Sequence, residues 1–460
     1  MSGTKRRRRR MHRRSDESGV QLARLIVSML LASILAGGVE AQDRPASARP
    51  NVVLILMDDL GYGDIGSYGV PDAKTPNIDR LAREGVRFTD FYANGATCSP
   101  TRAGFITGRY QQYLGIEAPL GSIPGDSARG LPPSETSLPR LLKSAGYGTA
   151  LIGKWHLGWK PEFHPNRHGF DEFYGFLSGF VDYFSNVGDF DRHDLYHNET
   201  PERDSTYLTD QLTARARAYI EQHRATPFFI EVSYNATHWP FQRPDHPADR
   251  RPIPTSHEGT RADYVAMLER ADQGVGVVLA TLDRLNLARN TLVIFTSDNG
   301  GEWLSRNAPL FHRKWTLWEG GIRVPAILRW PARLPAGVVS RQVGITMDLT
   351  ATILAVAGAN PPASYRPQGI DLIAALEGGS EIERTLYWRA DTRGLRQRAV
   401  RRGDWKYLRD GPNELLFDVS TDLGERNDVA ASHPARLEEF RRLLAAWEAN
   451  VDSSKAPSTR

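Results

Sequence analysis

Three short runs of apolar residues, at 51–57, 228–234 and 292–296, constrain this chain more than any other feature. A strand with one face in water alternates polar and apolar residues. A run that is apolar nearly throughout is buried on both faces, as in a sheet covered by helices on each side. Two of the runs end in loop signals: Asp58 and Asp59 followed by Gly61 and Gly63, and Asp298 and Asn299 followed by Gly300 and Gly301. Helical patterns lie between the runs. Thr75, Pro76 and Asn77 open one that Gly85 closes, residues 99–107 form another closed by Gly108, and 138–145 a third. Tyr264, Met267, Leu268, Ala271, Val275, Val278, Leu282 and Leu285 recur at helical spacing, while 86–92 and 149–152 read as further strands. Helices alternating with apolar strands predict an α/β sheet flanked by helices.

The pattern changes after about residue 365. Residues 386–390, 396–400, 405–408 and 415–419 are short strand candidates close together, followed by a helix with Leu437, Phe440, Leu444 and Trp447 on one stripe. This predicts a small antiparallel α+β unit. A chain of 460 residues exceeds what one hydrophobic core usually serves, so we divide it into a catalytic-size α/β domain at 51–364 and an α+β subdomain at 365–460.

Charge separates the N-terminus from the rest. The chain carries 58 basic and 54 acidic residues; setting aside the nine basic and three acidic residues of 1–41 leaves 49 against 51. The basic excess is therefore not a nucleic-acid footprint. Residues 5–14 are almost all cationic, 25–36 are apolar, and Val39-Glu40-Ala41 is a small-x-small exit. That order makes 1–41 a secretory signal peptide and 42–50 a polar linker, and predicts a periplasmic or secreted protein. A basic tail and a retained membrane anchor are the competing readings. Arg24 interrupts the apolar run and leaves it short of a spanning helix, so no stable membrane insertion is expected after cleavage.

One cysteine in the chain excludes an internal disulfide and a multi-cysteine metal site. The two acidic pairs lie beyond buried strands, where ligands collect in open α/β sheets. Three carboxylates, Asp58, Asp59 and Asp298, with the amide of Asn299, are hard donors suited to calcium or magnesium; ordinary turn chemistry is the bland alternative. Cys98 stands in Cys98-Ser99-Pro100-Thr101-Arg102 at a helix start, with Arg102 one turn further on. Read alone, this is either a thiolate nucleophile or a buried structural cysteine.

This segment, with Thr107, Gly108 and Arg109 after it, resembles the first signature of the sulfatases, and 146–157 (GYGTALIGKWHL) resembles the second. The likeness continues through 51–63, 75–88, His238-Trp239-Pro240, 297–301, 319–325 and 403–406, so it spans essentially the whole mature chain. Thr101 and Ile106 depart from the commoner serine and leucine without touching a catalytic group.

The resemblance implies an alkaline-phosphatase-like fold, a large mixed sheet sandwiched by helices with the smaller antiparallel domain behind it. It implies that a maturation enzyme oxidises Cys98 to formylglycine, whose hydrate attacks sulfur, beside calcium (magnesium being the alternative) held by Asp58, Asp59, Asp298, Asn299 and the modified Cys98. His238 is the implied acid for the leaving alcohol, Lys314 holds the sulfate, His156 takes a proton for sulfate release, and Lys154 and Arg102 hold the nucleophile. Arg313 beside Lys314 is an alternative for that position. The implied function is an exported hydrolase of aryl or carbohydrate sulfate monoesters, acting on a sulfated small molecule or saccharide. Its rivals are a phosphonate monoester or phosphodiester hydrolase of the same superfamily and an inactive sulfated-glycan-binding relative.

Overall fold

The structure, a computed structural model, describes residues 49–121, 129–188, 191–245, 258–392 and 394–454. Residues 1–41, read above as a signal peptide, and nearly all of the segment 42–50, read as a linker, lie outside the described residues. Among those described, no helix is long and apolar enough to cross a membrane.

The apolar runs form the middle of a ten-stranded mixed sheet. Its central strands are Thr291–Ser297, Asn51–Met57, Phe228–Ser233, Gly148–Lys154 and Glu172–Phe176 in that spatial order, all mutually parallel. Ala326–Arg329 runs antiparallel beside Thr291–Ser297 and is followed outward by Val86–Phe88 and Val338–Ser340. The other edge is a hairpin of Tyr196–His197 and Thr200–Pro201.

Every residue of Asn51–Met57 is buried because each face meets helices. Val53, Ile55 and Met57 pack with the helices Pro76–Glu84, Leu208–Gln222 and Arg261–Arg284. Val52, Leu54 and Leu56 face Cys98–Thr107, Leu138–Ser144, Thr346–Ala357 and Leu372–Glu377. Glycine is required where central strands crowd: Gly153 has φ 124°, and a Cβ there would lie 1.9 Å from the Ser233 carbonyl oxygen.

The late strands are as the sequence predicts. Thr385–Thr392, Leu395–Arg402, Trp405–Asp410 and Asn413–Asp418 make an antiparallel meander. The helix Pro434–Ser454 covers it with Phe440, Leu444, Trp447 and Val451, and the same cluster includes Tyr92, Ile322 and Ile345.

One sequence expectation is corrected. Residues 86–92 are two strands in two sheets, since Phe91–Tyr92 pairs with Gly344–Ile345 instead of the large sheet. Thr89 and Asp90 break the run: Asp90 turns its carboxylate to Arg323 and Arg401, at 3.1 and 2.5 Å.

Candidate active site

The four central strands that carry site residues deliver them at their carboxyl ends, where the parallel sheet opens between its loops. Asp58 and Asp59 follow Asn51–Met57, Asp298 and Asn299 follow Thr291–Ser297, His238 follows Phe228–Ser233, and Lys154 ends its own strand two residues before His156. Backbone pairing locks these ends together: Asp58 N–H donates to the Ala236 carbonyl, Thr237 N–H to the Asp58 carbonyl, and Asp298 N–H to the Met57 carbonyl, at 3.0, 2.7 and 3.1 Å. Asp59 and His156 both have left-handed φ, 62° and 56°. Outside glycine such values are uncommon and carry local strain, which concentrates at functional sites.

The helix Cys98–Thr107 points its first turn at these strand ends. Gly108 closes it in the left-handed region, with its N–H on the helix's last carbonyls. Cys98 is buried with Sγ 3.5 Å from Asp58 Oδ1. Burial, followed by the charge of Asp298, pushes the thiol above its ordinary range. A plain thiolate, one of the readings open from the sequence, is therefore disfavoured despite the helix start.

Each carboxylate has a cation. Lys154 Nζ lies 2.5 Å from Asp58 Oδ2, and Lys314 Nζ bridges both oxygens of Asp59 at 2.7 and 2.9 Å. Arg102 donates Nε and Nη2 to Asp298 Oδ2 at 3.0 and 2.8 Å, and Nη1 to the Lys154 carbonyl and Ser233 Oγ. These six side chains are all at most 4% exposed. Lys314 is thus the inward lysine, while Arg313 points out with its guanidinium 5.6 Å from the Trp303 ring. Arg102, expected to hold the nucleophile's charge, spends its donors on Asp298 and the sheet.

The group is electrostatically tense. Burial, then Asp298, raise Asp58 to about 7 against the pull of Lys154. Asp59 is held at about 2 because Lys314 and His238 outweigh its burial. Both histidines are pushed well below their ordinary range, first by burial and then, beyond the opposing pull of Asp59 on His238, by neighbouring cations. Each ring has one nitrogen committed. His156 Nε2 sits 3.0 Å from the Leu120 carbonyl, so it carries the hydrogen and Nδ1 is a buried lone pair with no hydrogen bond among the described residues. His238 Nδ1 sits 2.6 Å from the Trp239 carbonyl, which leaves Nε2 facing Asp59 Oδ2 at 3.6 Å.

The donors fit a hard cation. Ligating atoms of Asp58, Asp59, Cys98 and His238 lie within 4.8 Å of one another. Among the described residues Asn299 Oδ1 is buried without a hydrogen bond, while its Nδ2 donates to Asp59 Oδ1 at 2.7 Å. Asp298 Oδ1 faces the Asp59 amide at 3.4 Å. Geometry alone adds His238 to the sequence-derived set; oxygen-rich chemistry favours Asp58, Asp59, Asp298 and Asn299 for calcium or magnesium.

Three site features were not read from the sequence. Ser233, inside a buried strand, braces Arg102. Glu302, beyond the Asp298 loop, accepts the Trp315 indole N–H at 2.8 Å. Glu231, on the strand that ends in Ser233, is buried and raised to about 7 by desolvation against the pull of Arg102. A carboxylate inside an apolar strand run was the one signal available for it.

Comparisons with known proteins give the chain's family. The family model described as Sulfatase matches residues 50–359. N-acetylgalactosamine-6-sulfatase of Canis lupus familiaris is 39% identical over 388 residues, covering 79% of this chain and 72% of that protein. Arylsulfatase A of Bos taurus is 34% identical over 464 residues, covering 86% and 87%. The crystal structure of Ps i-CgsB in complex with k-i-k-neocarrahexaose superposes with a TM-score of 0.81 at 33% identity, covering 89% of this chain and 94% of that one.

Proposed function

This chain belongs to the sulfatase family and is a sulfate ester hydrolase, and we propose that it is an exported enzyme that uses formylglycine made from Cys98 to cleave a sulfated saccharide or aryl sulfate. The observation that carries the reading is the position of Cys98: a buried thiol held protonated at a helix start, in contact with Asp58 and among three carboxylates and three cations. A thiol so placed is a poor nucleophile as it stands, whereas its aldehyde hydrate supplies a hydroxyl there. A saccharide substrate is supported by the relatives' names and by the neocarrahexaose bound to the structural neighbour.

Asp58, Asp59, Asp298 and Asn299 would hold the calcium or magnesium ion, which supplies positive charge for the sulfuryl oxygens. The three carboxylates and three buried cations balance formally, so a divalent ion leaves the pocket net positive and suited to an anion. Lys314, fixed by Asp59, holds the sulfate group. His238, its ring locked by the Trp239 carbonyl, presents Nε2 to the leaving oxygen; burial favours the neutral ring, and the Asp59 carboxylate facing Nε2 favours the charged form that gives the proton. His156 accepts a proton at Nδ1, the lone pair left bare by the Leu120 contact, during sulfate release. Lys154 and Arg102 keep Asp58 and Asp298 in place.

Leaving-group dependence tests the acid. His238→Ala is expected to slow a sugar or alkyl sulfate by about 10²–10⁴-fold and an activated aryl sulfate far less, because a good leaving group needs little protonation. Equal losses on both, at a rate limited by sulfur–oxygen cleavage, remove His238 from that role. The ratio of kcat/KM on an aryl sulfate to that on an aryl phosphonate is expected to favour sulfate.

Cation binding should depend on pH through Asp58. With its folded pKa raised to about 7, Asp58 is protonated below that value in the metal-free protein, and a cation must displace the proton. Calcium affinity is therefore expected to rise with pH up to about 7 and to level off above it, falling about tenfold per unit below. Calorimetric titration checks this; pH-independent affinity from 5 to 8 contradicts it.

A further inference from the structure

Just outside the cationic pocket, two chain segments lie side by side: Gly301 to Trp303, beyond the Asp298 loop, and Arg313 to Trp315. Lys314 N–H donates to the Gly301 carbonyl at 3.1 Å, which sets their register. Side chains alternate across this register. Lys314 turns inward to Asp59. Arg313 turns outward, exposed, with its guanidinium 5.6 Å from the centre of the Trp303 ring. Trp315 is half-buried, its indole N–H on Glu302 Oε2 at 2.8 Å and its ring centre 5.7 Å from Lys314 Nζ.

Trp303 is the unusual member. It is 51% exposed, the largest side chain among the exposed hydrophobic residues described. An exposed indole with an arginine over one face, a few residues along the chain from a buried cationic pocket, is an aromatic plate that carries its own cation. The carboxylate of Glu302, held by the Trp315 indole, precedes the plate in sequence and feels the charges of Lys314 and Asp59. That combination matches a pyranose ring: apolar C–H faces for the indole, hydroxyls for the carboxylate, and an acidic substituent for the guanidinium.

We propose that Trp303, Arg313 and Glu302 form a subsite for the saccharide unit next to the sulfated one, and that this unit carries its own anionic group. The inference rests on the sulfatase reading and deepens it, since the substrate becomes an anionic oligosaccharide and not an isolated sulfated sugar. Continuity commits the surface to this occupant: Lys314 inside and Arg313 outside are consecutive residues of one segment, so a group held by Lys314 delivers its neighbour to Trp303.

The test uses the full matured chain and three probes: an aryl sulfate, a sulfated monosaccharide, and the best-hydrolysed member of a panel of sulfated oligosaccharides carrying that sugar. Aryl sulfate turnover reports the sulfate pocket, so its absence in the unsubstituted enzyme counts against the sulfatase reading. The wild type is expected to prefer the oligosaccharide in kcat/KM, and Trp303→Ala to lower the oligosaccharide-to-monosaccharide ratio about tenfold, the effect of losing one stacked ring. Arg313→Gln is expected to lower it only when the neighbouring sugar bears a sulfate or carboxylate. Trp303 is half in solvent and Arg313 exposed, so both variants should fold, which thermal melting verifies. No oligosaccharide preference in the wild type, or an unchanged ratio in both variants, overturns the subsite. A loss for Trp303→Ala with no dependence of Arg313→Gln on the neighbour's charge overturns the anionic part.

Discussion

Cys98→Ala is expected to abolish turnover of every sulfate ester, by more than about 10⁴-fold, without unfolding the protein. The residue is 2% exposed, with its sulfur 3.5 Å from Asp58 Oδ1. Losing one sulfur atom from a buried site leaves a small cavity and costs about 1 kcal/mol. Activity and stability therefore separate, as they do for a nucleophile and do not for a packing residue. Cys98→Ser sharpens the result. A serine there offers one hydroxyl, which forms a sulfate ester and has no second oxygen from which to eliminate it. That variant is expected to be inert after at most one turnover, with intact mass raised by one sulfuryl group. Turnover of Cys98→Ala near the wild-type rate on aryl sulfate would remove Cys98 from the reaction.

Asp298→Ala is expected to lose activity and stability together. Arg102 is 3% exposed and gives Asp298 two of its donors. Removing the carboxylate strands a buried guanidinium, a change that costs about 3–5 kcal/mol when nothing replaces the partner. Part of this is offset because Asp298 also raises Asp58, so its removal lets Asp58 ionise more readily. Asp298→Asn keeps an acceptor for Arg102 and should be milder in stability, yet inactive if the carboxylate is needed for the cation. Urea denaturation measures the first effect and calcium titration the second. A melt unchanged in Asp298→Ala contradicts the structural role given to the pair.

These two residues also show what could be read from the sequence. Asp298 was legible because it follows a short apolar run bounded by a loop signal, as an enclosed strand does. Cys98 was legible from its motif, but the state of its thiol was not. The helix start argued for a lowered pKa, whereas burial among carboxylates raises it; only the tertiary arrangement places Asp58 and Asp298 beside it. The choice between Arg313 and Lys314 was equally closed to the sequence, since adjacent cations differ only in which way the segment faces. Elements were missed for identifiable reasons. Thr346–Ala357 is buried around most of its circumference, so it lacks the polar face that reveals a helical period. Leu208–Gln222 did carry a signal, in Leu208, Leu212, Ala216, Tyr219 and Ile220. Residues 86–92 looked continuous because Thr89 and Asp90 form a short polar break whose partners, Arg323 and Arg401, are distant in sequence.

The central claim is that hydrolysis runs through a modified Cys98, and one measurement meets it directly. Protein produced with the converting machinery is digested, the peptide ending at Arg102 is sequenced by tandem mass spectrometry, and aryl sulfate turnover is measured across preparations with different degrees of conversion. The account predicts that Cys98 is lighter by about 18 Da, the change from thiol to aldehyde, and that turnover rises in proportion to the converted fraction. Full activity in a preparation whose Cys98 is wholly unmodified would contradict it.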